Sequence, residues 1–348
     1  MKDLTVLVTG AGAPGAPGII KALHNNGERK ITVVGIDINP FASGSVLVDK
    51  FIVGPKYNSP SFVQDIINIC KEEDVNVIHP LVTRELNVFS RSLNDFRKEN
   101  IVVCVMENSL LERANNKARL LEALKANGVH VPAFRTITTA EAFEAAVFDL
   151  GYPGVPVCFK PSESNGSRGF RILDKTIDKA RLLFDMKPNT VYADFDDIFT
   201  ILSSMKELPE IIVMEYLPGH EYSVDMLVNK GNTICAIPRK RLTVNQGISV
   251  DCVTEKNNDV IEYCSSIARC LDLHGNIGIQ VKYDANNIPQ ILEINPRLQG
   301  SVVNCVAAGV NLPYLGAKLY LGEDIAPQLP LWGVRMVRRW EESFIHAN

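Results

Sequence analysis

Four apolar runs alternate with helix-period stretches through the first hundred residues, and this alternation limits the fold more than any single motif does. The runs are LTVLVT, KITVVGID, VNVIHPLV and IVVCVME, nearly continuous in apolar residues, as strands buried on both faces require. Between them Ser61 to Glu73 and Thr83 to Lys98 have helical spacing; in the second stretch Leu86, Phe89, Leu93 and Phe96 share one face. Strands joined by helices of this length form a parallel sheet with right-handed crossovers. The expectation is an α/β domain over residues 1–108.

After that the pattern changes. Ser109 reads as the cap of a helix running to about Asn127, with Gly128 as its stop. Thr138 and Glu141 have the spacing of a capping box that opens another helix. Then come VPVCFKP, FRILD, EIIVMEYL, EYSVDMLVN and NTICAIPRK, strands close enough for antiparallel hairpins. A helix at 256–271, a hairpin at 276–295 and a helical LPYLGAKLYLGED follow. The whole reads as α/β followed by α+β, and at 348 residues it exceeds the size of one core.

Composition removes several function classes. A net charge of −4 and the lack of a Lys/Arg block argue against nucleic acid as a partner. The eight cysteines are scattered without a C-x-x-C pair, as small buried hydrophobes of a reducing compartment would be. No apolar run approaches the length of a membrane span, and MKDLTVLVTGAG enters a strand pattern directly, so the expected location is cytoplasmic and off the membrane.

GAGAPGAPG follows the first strand, with Gly10, Gly12 and Gly15 at dinucleotide-loop spacing and Asp37 at the end of the second strand, where a ribose-binding acid would stand. A nicotinamide enzyme is thus one reading. Pro14 and Pro17, however, remove N–H donors from the loop. A tight strand-to-helix turn is the first expectation, and a docking point for a substrate carboxylate or phosphate the second.

Three later segments carry more chemistry. CFKPSESNGSRGF places Lys160 on a strand ahead of a Gly/Ser loop that can cradle phosphate, or can simply connect a hairpin. VMEYLPGHEYSVDML offers Glu215 to Leu217 and Glu221 for a base and a ribose, or an edge hairpin with solvated acids. In GIQVKYDANNIPQILEINPR, a two-residue turn at Asn286-Asn287 would set Gln280 opposite Glu293 with Cβ atoms about 5 Å apart. Asn295 then shares Glu293's face, and three oxygen donors suit Mg²⁺ shared with phosphates. The alternative is a solvated polar face.

Taken in order, these segments resemble the ATP-grasp enzymes, particularly single-module relatives of carbamoyl-phosphate synthase and the pyrrolysine-pathway ligase. The resemblance spans nearly the whole chain and implies a Rossmann-like pre-ATP-grasp domain at 1–108. An ATP-grasp domain at 109–322 would follow, its lid near 130–215, with a terminal strand segment at 323–348. It implies that Lys117 and Lys160 contact ATP phosphates under a loop including Ser164, Gly166, Ser167 and Gly169. Glu215, Tyr216 and Leu217 would flank adenine and Glu221 would hold the ribose. Gln280, Glu293 and Asn295 would bind Mg²⁺, or Mn²⁺ in its place, and Arg297 would stabilise the transferring phosphoryl group. Carbamoyl-phosphate synthases have Arg and a longer glycine run where this chain has Lys160 and SNGSRG, a departure towards carboxylate–amine ligases.

The implied activity is ADP-forming ligation of a small carboxylate to an amine through an acylphosphate. Release of the acylphosphate itself, or ATP binding without catalysis, are the alternatives, and a homodimer is the default assembly. In PRKRLTVNQGISVD, strand alternation points Arg239 and Arg241 to one face. They form either a solvated strand edge or, for Arg241, a contact with the transferred phosphate or substrate carboxylate. WGVRMVRRWEE reads as a last strand with solvated arginines.

Overall fold

The computed structural model describes residues 1–163, 168–186, 190–245 and 247–345. The chain divides into two compact units, Met1–Asn115 with Glu221–Val281 and Leu292–Asn348, and Asn116–His220 with Lys282–Ile291. The architecture is mixed α/β throughout, with one sheet parallel.

In the first unit the N-terminal strands are β1 (Leu4–Thr9), β2 (Ile31–Asp37), β3 (Lys50–Val53), β4 (Val77–Pro80) and β5 (Val102–Val103). They form a parallel sheet in the order β3-β2-β1-β4-β5, with Val6 beside both Val33 and Val77. All four apolar runs are strands of this sheet. β3 was not among them, because it is an edge strand of four residues whose apolar run, Phe51 to Val53, is only three long. The 83–98 stretch is two helices, Thr83–Arg91 and Leu93–Lys98, separated at Ser92. The shared face survives the break, since Leu86, Phe89, Leu93 and Phe96 are all buried.

The second unit holds β6 (Phe134–Ile137), β7 (Val157–Pro161), β8 (Arg171–Leu173), β9 (Tyr192–Ala193) and β10 (Ile211–Glu215), ordered β6-β10-β7-β8-β9. Its core is aromatic: Phe143 packs edge-on against Phe159 at 5.1 Å and stacks with Phe195 at 6.3 Å. The helix expected from Ser109 to Asn127 is also two, Asn108–Asn115 and Lys117–Ala126. Asn116 separates them and caps the second, accepting a hydrogen bond from Arg119 N at 2.9 Å. The next helix is capped by Thr139, not Thr138: its Oγ1 accepts from Ala142 N at 3.1 Å.

A further sheet is built from β11 (Glu221–Asn229), β12 (Asn232–Asn245), β13 (Ile248–Thr254), β14 (Gly275–Tyr283), β15 (Pro289–Asn295) and β16 (Arg335–Val337). The order is β15-β14-β11-β12-β13-β16. It shares one core with the parallel sheet, in which Val8, Ile20 and Val33 join Leu227, Ile237, Val302 and Leu315. All eight cysteines are free thiols, six of them buried. Among the described residues no helix is long and apolar enough to cross a membrane.

Candidate functional site

In the second unit, β7 carries Lys160, and the helix beginning at Lys117 meets the end of that strand through a Lys117 N–H to Ser162 carbonyl bond of 3.2 Å. Both lysines are buried, at 6% and 8% exposure. A buried ammonium is costly unless it is paired, and both lysines are held by interactions of their own. Ser164, Gly166 and Ser167 lie outside the described residues. Gly169 is described, with φ of +76° and its Cα so close to the Pro161 ring that a Cβ would meet it at 2.6 Å.

At the end of β10, Glu215 turns its carboxylate to Ala133, accepting that N–H at 2.9 Å. Tyr216 lies under Lys282, whose Nζ is 4.8 Å from the ring centroid, and Leu217 is buried. Burial pushes the Cys158 thiol up to about 12, with Lys160 and Lys282 opposing and Glu215 reinforcing the shift. These three charges therefore all act on one buried position. Lys282 was missing from the sequence reading. Its signal was present in the alternation of β14, where Gln280 and Lys282 are half-buried between buried Ile279, Val281 and Tyr283.

The hairpin turn differs from expectation. Asp284 N bonds to Ile288 O at 3.0 Å around a three-residue loop, with Asn287 in the left-handed region at φ 60°. Burial alternation along β15 slips, with Leu292 and Glu293 both half-buried between Ile291 and Ile294. In the first unit, Glu293 and Asn295 are joined directly, Asn295 Nδ2 donating to Glu293 Oε1 at 3.1 Å. Arg297 follows, donating from Nε to Thr83 Oγ1 and from Nη1 to Leu298 O, each at 2.9 Å. Burial works against its charge, and Glu293 supports it.

Two residues given separate roles by the sequence are an ion pair: Arg241 Nη1 bonds Glu221 Oε1. Arg241 is also held by Ser249 Oγ at 3.0 Å and Gly247 O at 2.7 Å. Arg239 is no solvated edge residue, and Asp225 is no solvated acid. β11 lies inside the sheet, and the pair is buried with Arg239 Nε 2.6 Å from Asp225 Oδ2. Burial opposes the Arg239 charge, but Asp225 together with the Cys305 and Cys252 thiols keeps the guanidinium above its ordinary range. Arg239 also donates to Ser301 Oγ at 2.8 Å and Gln299 Oε1 at 3.2 Å, fixing the segment just past Arg297.

Arg338, another expected surface arginine, is half-buried and bonds three carbonyls, those of Ser249, Pro14 and Gly300. The opening loop packs on the same segment. A Cβ on Gly15 would be 2.7 Å from Gly300 Cα, so only glycine permits this approach. Within the loop, Asp37 accepts the Gly12 N–H at 2.8 Å.

Glu85 also escaped the sequence reading. It is 8% exposed, and Thr9 Oγ1 donates to its Oε2 at 2.5 Å. Burial raises its carboxyl to about 7, with Asp37 adding to the shift and Thr9 opposing it. The native state thus holds a proton that the unfolded chain, near 4.5, gives up first. Stability should therefore fall as pH rises from about 4.5 to 7, with a full cost of about 3 kcal/mol above that window. Urea unfolding of Glu85→Gln should show a gain over the parent at pH 8 that disappears at pH 4.5. Equal differences at the two pH values would contradict this.

Two family models match: "PylC-like, N-terminal domain" over residues 6–104, and "ATP-grasp in the biosynthetic pathway with Ter operon" over residues 207–340. Among curated proteins, the C-terminal section of the carbamoyl phosphate synthase large chain of Methanopyrus kandleri is 24% identical over 302 residues, covering 80% of this chain and 50% of that protein. The uncharacterized protein y4rH of Sinorhizobium fredii is 27% identical over 200 residues, covering 55% of this chain and 38% of its own. The chain thus spans half or less of these relatives.

Solved structures agree in fold. An N5-carboxyaminoimidazole ribonucleotide synthetase in complex with ADP is 17% identical with a TM-score of 0.67, over 97% of this chain and 79% of that one. The biotin carboxylase domain of Hydrogenobacter thermophilus 2-oxoglutarate carboxylase, solved with MgADP, is 18% identical with a TM-score of 0.67, over 92% and 70%. An L-amino acid ligase from Bacillus licheniformis is 15% identical with a TM-score of 0.63, over 92% and 74%. The two models match separate segments in order, an ATP-grasp segment after a PylC-like N-terminal domain, and the solved structures share the fold.

Proposed function

We propose that this protein is an ATP- and Mg²⁺-dependent ligase that joins a small carboxylate to an amine through an acylphosphate, releasing ADP. The observation that carries the reading is the joined Glu293 and Asn295 beside Arg297, whose guanidinium donates to two neutral oxygens. Among the described residues no group of three or more His, Cys, Asp or Glu side chains could hold a metal. A cation would therefore rest on one carboxylate with amide oxygens from Asn295 and Gln280, a partial shell that suits Mg²⁺. The Asn295–Glu293 bond engages the amide nitrogen, which leaves the oxygen as an acceptor. Bound Mg²⁺ would neutralise phosphate charge.

The chain's own part is positioning. Lys117 and Lys160 would hold phosphate oxygens, and Tyr216 and Leu217 would bracket the adenine. Arg297 would meet charge developing on the transferred group, a contact that strengthens towards the transition state. Glu221 would reach a ribose only while sharing its carboxylate with Arg241.

The test is ADP release from ATP·Mg²⁺ with pairs drawn from two panels. The carboxylates are acetate, succinate and the common amino acids; the amines are ammonium, putrescine and the same amino acids. Release of ADP and phosphate that depends on both partners supports the proposal, and AMP with pyrophosphate as the sole products would sink it. The Methanopyrus relative favours a second reading, in which the acylphosphate is itself the product. Its accumulation without any amine would decide for that reading.

A further inference from the structure

We infer that the acceptor amine docks at the C-terminal end of the parallel sheet, between the loops after β1 and β4, with its nitrogen on the Glu85 carboxylate. This rests on the ligase reading above and names the residue that receives the amine.

The position comes from topology. In the order β3-β2-β1-β4-β5, the chain leaves β1 towards one side of the sheet and β4 towards the other. The loops beyond these two strands diverge, and open α/β sheets bind ligands at such a divergence. Glu85 stands there, in the first turn of the helix Thr83–Arg91 that follows β4. The threonine that ends β1 holds it in place: Thr9 Oγ1 donates to Glu85 and accepts from Leu81 N at 3.2 Å.

The charge balance selects the ligand class. Asp37, at the end of β2, is the second carboxylate whose field reaches Glu85. No lysine, arginine or histidine pairs with either of them among the described residues. The other charged or titratable groups nearby are exposed Arg84 beside it on the helix, Arg297 bonded to Thr83, and His79 on β4. Burial lowers His79 to about 4, which keeps it neutral. Two carboxylates without a cation, one of them buried, favour an ammonium over an anion or a neutral group.

The place is also right for the reaction. Thr83, two residues before Glu85, accepts the hydrogen bond from Arg297, which follows Glu293 and Asn295. In the step itself the ammonium gives one proton to Glu85, and the freed nitrogen lone pair attacks the acyl carbon. The acyl C–O bond breaks, and phosphate leaves with its electron pair and the second nitrogen proton, giving the amide. A carboxyl poised near neutrality suits that first transfer.

The experiment compares full-length wild type with Glu85→Gln, which keeps the side chain's shape and its acceptor for Thr9. Both receive ATP·Mg²⁺ and the active carboxylate found above. One arm adds the matching amine; the other adds hydroxylamine, which is already neutral at pH 7 and traps the acylphosphate without a base. The variant should trap within twofold of wild type yet ligate the amine about 10²-fold more slowly, and should lose the rise in wild-type rate centred near pH 7. Amine ligation at the wild-type rate, or trapping lost as severely as ligation, would overturn the inference. Trapping absent from the wild type would instead overturn the ligase reading. An Asp37→Asn variant supplies a second arm: a raised KM for the amine with trapping unchanged is expected, and an unchanged KM counts against the inference.

Discussion

Glu293→Ala should remove ATP turnover, lowering it by about 10²-fold or more. Loss of an outer-shell partner of a metal ligand typically costs about 10–100-fold, and Glu293 would be the ligand itself. The substitution removes the only carboxylate of the proposed donor set and also the acceptor of the Asn295 amide bond. It withdraws the negative charge that supports the Arg297 guanidinium in its half-buried position as well. Steady-state ADP release across a Mg²⁺ titration is the measurement, with Arg335→Ala as the comparison because its ion pair with Asp251 lies on the surface. Glu293→Ala retaining wild-type turnover at low Mg²⁺ would remove the metal assignment. The comparison variant should be indistinguishable from wild type.

The second large effect is on stability. Arg239→Ala leaves Asp225 in a site 3% exposed without its cation, and breaking a buried pair from one side costs about 3–5 kcal/mol. Ser301 and Gln299 lose their donor at the same time, so the segment after Arg297 should loosen before the rest of the chain unfolds. Replacing both members of the pair with apolar residues, Arg239→Met with Asp225→Leu, should recover most of the loss, since two costs of desolvation disappear together. Urea denaturation of the three proteins tests this. A single variant as stable as the parent would show that the pair contributes nothing to the fold.

Much of the architecture was legible because its signals are local. Four buried strands and their crossover helices follow from apolar runs and helical spacing in the first hundred residues. The ATP-grasp resemblance came from the order of later segments, none of which is decisive alone. Errors arose where two structures share one pattern. A helix face continues across the break at Ser92, so periodicity cannot reveal it. Asn286-Asn287 suits a two-residue turn, yet Asp284 side-chain bonds to Asn286 N and Ile288 N stabilise a longer one.

The buried charges were illegible for another reason. Whether Asp225 and Arg239 face solvent depends on whether β11 is an edge strand, and that depends on its pairing with β14, about fifty residues away in sequence. Glu85 looks like an ordinary acid in the first turn of a helix, a common surface placement. Only the packing of Thr9 against it reveals a shielded carboxyl.

Gly12 occupies the place in the G-x-G-x-x-G spacing where a bare backbone lets pyrophosphate approach. Here Asp37 Oδ2 lies 3.1 Å from where a Cβ would be, and it takes the N–H as a hydrogen-bond acceptor. The loop is thus an anion receptor whose anion is tethered to the same chain. A motif that elsewhere recruits a diffusible cofactor here gives its Gly12 N–H to a carboxylate held at permanently high effective concentration. The residue that seemed to complete the cofactor fingerprint is the one that closes it.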